Sequence, residues 1–244
     1  MTIKNSANAE FFIAASAERK EPLGEDIARL AVAQEKNKNP KELKMPVYLR
    51  HALENHDLRR IMKENHVDAF EALKRLKEGN KSYLDAVTGA GDISPEKRRY
   101  TSINGQAPFA VIVSCSDSRV IPECIFSAGI GDLFVIRVAG NVIDRHQLGS
   151  IEYAVEHLHS RLVVVLGHTG CGAVGAALQE NGGYIKSITD EIKRAIGTET
   201  DGTKASILNV EQSVAEIQKC LGDTEGVLVA GALYHTESGI VEFL

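Results

Sequence analysis

Three side chains in this sequence have the types and spacing of a metal site: Cys115, His168 and Cys171. His168-x-x-Cys171 brings an imidazole and a thiolate close enough to share one ion, and Cys115 would complete a Cys2His set. Three protein ligands leave a fourth tetrahedral position open, the mark of a catalytic rather than a structural zinc. Sulfur and imidazole donors favour zinc over magnesium or calcium, which prefer oxygen. Each pattern is short, and alone fits ordinary core cysteines and a satisfied histidine equally well. Cys124 and Cys220 have no ligand-type neighbour at metal spacing and read as plain small core residues. Asp117 and Arg119, two residues apart just after Cys115, can point the same way and form a bidentate ion pair, which keeps Asp117 ionised and acceptor-only.

Both candidate ligand segments follow predicted strands. The runs 110–114, 133–138, 162–166 and 227–233 are short, apolar and β-branched, as strands buried on both faces should be. Between the second and third, Ile151, Ala154, Val155 and Leu158 recur at helical spacing and supply the crossover that parallel strands require. The expected fold is therefore α/β, a mainly parallel central β-sheet flanked by helices, with an N-terminal helical extension. Ligand sites in such sheets lie beyond the carboxyl ends of strands, where Cys115 and the segment 167–172 both emerge. That concurrence strengthens the metal reading. From Asp68, the pattern Phe70, Leu73, Leu76 predicts an amphipathic helix, with Gly79-Asn80 as its stop before a second short helical piece. Residues 1–47 are polar and Lys/Glu-rich, with Ile27, Leu30 and Ala31 at helical spacing. The division expected is a largely helical extension, 1–67, and a domain over 68–244.

With 244 residues and 43% apolar content the chain can bury a substantial core. Its net charge of -5, with both signs interspersed, gives no reason to expect nucleic acid or an anionic membrane as partner. Four cysteines are too few for a disulfide framework and suit a reducing compartment. No run approaches the roughly 20 apolar residues of a membrane span. The run 11–17 is at the minimum length for a signal peptide; Ala15-Ser16-Ala17 mimics a cleavage site, but Lys4 is the only basic residue before the run and Glu10 adjoins it. The expected location is cytoplasmic.

The ordered motifs Gly79-Asn80-Lys81, the segments 114–119, 131–141 and 150–154, Gly167-His168 and Cys171-Gly172-Ala173 resemble the β-class carbonic anhydrases over roughly residues 68–244. The resemblance implies one Zn2+ per chain on Cys115, His168 and Cys171, an Asp117–Arg119 dyad, and reversible hydration of carbon dioxide to bicarbonate by attack of zinc-bound hydroxide. It carries substrate-pocket roles to Gln106, Phe134, Tyr153 and the Gly172 amide, and implies a pocket completed across a homodimer, or a dimer of dimers. In some relatives the equivalent of Asp117 swings onto zinc, so Asp117 is a conditional fourth ligand in a closed state. Relatives with a regulatory bicarbonate site carry Trp three residues before the first ligand; Ile112 stands there and the sequence has no Trp. Two thiolates cancel the formal charge of the ion, so its water should be less acidified than in an all-histidine site and the rate optimum alkaline.

Three other readings compete. Gly170-Cys171-Gly172-Ala173-Val174-Gly175 is formally a dinucleotide fingerprint, but its first glycine does not follow a strand directly, and Asp190-Glu191 lies in a helical pattern rather than at a strand tip. A noncatalytic zinc-stabilised scaffold subunit would not need Asp117, Arg119 and Gln106. Hydrolysis of carbon disulfide or carbonyl sulfide would use the same zinc chemistry with a reshaped entrance.

Overall fold

The computed structural model describes residues 67–85, 91–179 and 183–244; the expected N-terminal extension lies outside them. The helix α1, Ala69–Leu84, begins at Asp68, whose carboxylate accepts the Phe70 and Glu71 amides, both at 2.9 Å. This satisfies N–H groups that a helix start leaves without intrahelical partners. The expected stop at Gly79-Asn80 does not occur, and α1 runs on for five residues beyond Gly79. A Cβ at Gly79 would lie 1.9 Å from the Phe126 carbonyl oxygen, so only glycine lets α1 approach that closely. The propensity cost of a mid-helix glycine, about 1 kcal/mol against alanine, is offset by this packing.

The chain continues through α2, Pro95–Asn104, to β1, Ala110–Ser114, α3, Pro122–Ile125, and β2, Leu133–Arg137. A 3-10 turn, Ala139–Asn141, precedes α4, Arg145–Glu156, which leads into β3, Leu162–His168. Then come α5, Gly172–Leu178, a 3-10 turn at Gly183–Ile185, α6, Lys186–Ile196, and α7, Gly202–Leu221. The strands β4, Leu228–Tyr234, and β5, Val241–Phe243, complete it. The sheet order is β2-β1-β3-β4-β5, parallel except for the antiparallel β4–β5 pair. The four expected strands are all present, β1 with the expected ends and the others within two residues of them.

Alternation along each strand divides the core. Ala110 and Ile112 pack with Leu162, Val164 and Leu166 against Ala72 and Leu76 of α1. Val111 and Val113 face the other way, with Val163 and Val165, against Ile151, Ala154 and Val155 of α4 and Val210 and Ile217 of α7. Each such side chain, buried on folding, contributes about 1.5–3 kcal/mol. The strand β1 connects to β2 on one side and β3 to β4 on the other, so the crevice between the ends of β1 and β3 is a topological switch point.

Candidate metal centre

Two adjacent strands deliver the donors. Cys115 follows β1, His168 is the last residue of β3, and Cys171 sits at the N-cap of α5 after a turn through Gly170. All three are buried, and one donor atom from each lies within 4.8 Å of the others. The two sulfurs are 4.0 Å apart. Two thiolates on one tetrahedral ion at about 2.3 Å would be roughly 3.8 Å apart, close to this separation.

His168 is poised as a ligand. Its Nδ1 lies 3.0 Å from the Thr169 carbonyl oxygen, so the proton belongs there, and the fully buried Nε2 has no hydrogen-bond partner. A bare imidazole nitrogen without a donor is costly in a protein interior, and a cation beside the two sulfurs would satisfy it. The residues therefore fit a metal ion. Thr169 is itself held, its hydroxyl 3.1 Å from that of Thr236 and accepting the Thr236 amide at 3.0 Å. Such outer partners fix the ring orientation of a ligating histidine.

The sulfurs differ in charge. The Cys171 thiol beside it, then His168 and the amides of Gly140 and Asp117, draw the Cys115 thiol down to about 4 against the opposing cost of burial. The Cys171 thiol is pushed up, first by the Cys115 sulfur and then by burial. The pair thus shares one proton, which a bound cation would displace.

Asp117 stands beside this set, with Oδ2 3.9 Å from His168 Nε2. The Arg119 guanidinium donates Nε to Oδ1 at 3.0 Å and Nη2 to Oδ2 at 2.7 Å, and the Arg119 amide donates to Oδ1 at 2.9 Å. These bonds hold the Asp117 carboxyl well below the usual carboxylate range. Arg119 also donates Nη2 to the Gly170 carbonyl at 3.1 Å, tying the Cys115 loop to the His168–Cys171 loop. Arg137, which the sequence reading did not single out, donates to the carbonyls of Cys115 and Asp117 at 3.0 and 2.6 Å. Its only sequence signal was a basic residue at the end of an apolar strand.

Gly172 opens α5 directly after Cys171, so its amide lies in the first helical turn. The remaining expected pocket residues are not brought here. Gln106 is exposed in the loop before β1, separated from Cys115 by that strand, about 16 Å long. Phe134 pairs in register with Val111, toward the opposite end of β1, and its ring centroid is 6.3 Å from that of the exposed Tyr153. Cys220 is exposed and Cys124 only partly buried, so neither is the core residue expected; all four cysteines are free thiols. The fingerprint reading fails on geometry as well: Gly170 lies in the turn between His168 and the α5 N-cap, and Asp190 and Glu191 lie within α6.

The family model described as carbonic anhydrase matches residues 110–241. "Carbonic anhydrase 2" of Mycobacterium tuberculosis is 45% identical over 131 residues, 51% of this chain and 63% of that protein. The chain thus spans less than two thirds of that relative's length. The carbonic anhydrase of Mycolicibacterium smegmatis is 37% identical over 195 residues, 70% of this chain and 91% of the relative. Among solved structures, one of two tetrameric β-carbonic anhydrases from the ascomycete Sordaria macrospora superposes with a TM-score of 0.54 at 28% identity, covering 62% of this chain and 87% of that one.

Proposed function

The chain belongs to the β-class carbonic anhydrase family, and from that premise we propose that it catalyses the reversible hydration of carbon dioxide to bicarbonate and a proton. Cys115, His168 and Cys171 hold one Zn2+ per chain. The observation that carries this reading is the buried, unpartnered His168 Nε2 facing two thiols, with an ionised carboxylate beside it. When bound, zinc supplies Lewis acidity that makes a water molecule an effective nucleophile near neutral pH.

The chain's own residues supply orientation. Asp117, ionised and held by Arg119, accepts the nucleophile's hydrogen bond and turns its lone pair toward carbon dioxide. The Gly172 amide donates to bicarbonate oxygen. The two Arg119 side-chain bonds hold the Asp117 carboxylate in place, with Oδ2 3.9 Å from His168 Nε2, which supports an open fourth position; Asp117 would become a fourth ligand by swinging toward the sulfurs. Gln106, Phe134 and Tyr153 complete the pocket of a second copy, because within one chain they lie toward the opposite ends of the strands. The exposed Tyr153 and the edge position of β2 support this homodimer, and a dimer of dimers is its extension. Residues 68–244 form the catalytic domain and 1–67 an extension to it. We place the protein in the cytoplasm, a reading supported by four free thiols; no described helix is long and apolar enough to cross a membrane.

Stopped-flow carbon dioxide hydration across pH, on full-length protein of measured zinc content, tests the reading. Turnover rising toward alkaline pH is expected. Zinc-loaded protein without turnover would make it a scaffold, and turnover of carbonyl sulfide or carbon disulfide in place of carbon dioxide would reassign the substrate.

A further inference from the structure

The Cys115 sulfur receives two backbone N–H groups, from Asp117 at 3.4 Å and Gly140 at 3.2 Å. The first is local to the ligand loop. The second comes from the 3-10 turn after β2, and it is held from elsewhere. Asn209 of α7, 3% exposed, donates Nδ2 to the Gly140 carbonyl at 2.7 Å. One helical turn on, the hydroxyl of the buried Ser213 lies 3.0 Å from the Asn209 carbonyl of its own helix and 3.2 Å from the Asn141 carbonyl, with one proton to share between them. Gly140 itself has φ 70°, and a Cβ there would lie 2.8 Å from Ile192 Cδ1 and 3.0 Å from Ala173 Cβ. The turn is thus seated against α5, α6 and α7 in one position.

Apolar side chains would serve as well if α7 had only to pack, since burying amide and hydroxyl groups gains little on average. What the two polar groups add is a fixed Gly140. We propose that Asn209, aided by Ser213, is a positioning residue for the metal centre: by holding the Ala139–Asn141 turn it aims the Gly140 N–H at the Cys115 sulfur and sets how much charge that thiolate gives the ion. The inference rests on the zinc reading above. An amide hydrogen bond withdraws electron density from a thiolate, and outer-shell bonds of this kind tune a bound metal.

Cobalt(II) loaded into the full-length protein reports on that sulfur through its thiolate-to-metal charge-transfer band. Asn209→Leu removes the donor at similar volume and is expected to move the band to longer wavelength while the visible bands of a tetrahedral site persist. Asn209→Ala, which lacks the donor and brings in no titratable group, reads the same shift should the leucine variant not fold. Asn80→Ala, on α1 against the other face of the sheet, is the control for stability alone and must leave the band in place. In cadmium-113-loaded wild type, the Gly140 amide should show scalar coupling to the metal through N–H···S. An unmoved band in a folded Asn209 variant, an equal shift in Asn80→Ala, or absence of the coupling overturns the inference while leaving the zinc reading intact. A wild type that binds cobalt without any thiolate band overturns the ligand assignment itself, and the inference with it.

Discussion

Replacing Asn80 by alanine should cost the fold about 3 kcal/mol, from three hydrogen bonds at about 1 kcal/mol each. Its Nδ2 donates to the carbonyls of Ile125 at 3.2 Å and Gly239 at 3.0 Å, and its Oδ1 accepts the Val241 amide at 3.0 Å. The side chain is 6% exposed, so water does not readily replace these bonds. One amide thereby ties α1 to α3 and to β5. For a domain of this size the thermal midpoint should fall by about 6–12 °C. The assay is urea unfolding of zinc-loaded protein at one fixed protein concentration, because metal and self-association both shift apparent stability. The midpoint should fall with the m-value unchanged. Asn80→Asp keeps the acceptor but sets a carboxyl against two carbonyls, which raises its folded-state pKa. Its penalty should therefore be smallest below about pH 4, the unfolded value, and grow as pH rises. A loss under about 1 kcal/mol for Asn80→Ala would refute the idea that these bonds hold the three elements together.

Asp117→Asn should retain zinc and lose about 100-fold in hydration rate. Because Arg119 depresses the Asp117 pKa, the pair's contribution is present above about pH 4 and lost only as pH falls below it. The substitution should therefore lower the neutral-to-alkaline rate profile without moving its inflection, and a moved inflection would contradict the assignment. Chelating the metal should lower the thermal midpoint by about 5–10 °C in calorimetry, the equivalent of about 2.7 kcal/mol at a ligand concentration 100 times Kd. A midpoint indifferent to chelator would mean that the ion is not bound at this buried site. Mixing inactive Gln106→Ala and Asp117→Asn protomers should restore about one quarter of wild-type activity, since half the sites in half the dimers are then intact. No recovery after subunit exchange would show that Gln106 does not act across an interface.

The sequence by itself marked four of the five strands and named the three residues, Cys115, His168 and Cys171, that the fold clusters. Fully buried parallel strands must be continuous apolar runs, and two of them run straight into a candidate donor, so the strands leading to Cys115 and ending on His168 announce both element and candidate site. Local chemistry settled the Asp117–Arg119 pair as well, because two residues of separation leave it little choice of partner. Gly79-Asn80 misled for a physical reason: by propensity it stops a helix, whereas in place the missing Cβ admits the Phe126 carbonyl and the amide bonds to distant backbone. Nothing in the sequence names the partners of Arg137 and Asn209, the Cys115 loop and the Gly140 turn. These contacts depend on β2 lying beside β1 and on α7 crossing the Ala139–Asn141 turn, separations of 20 to 69 residues along the chain that only the packed sheet and helices bring within hydrogen-bond reach.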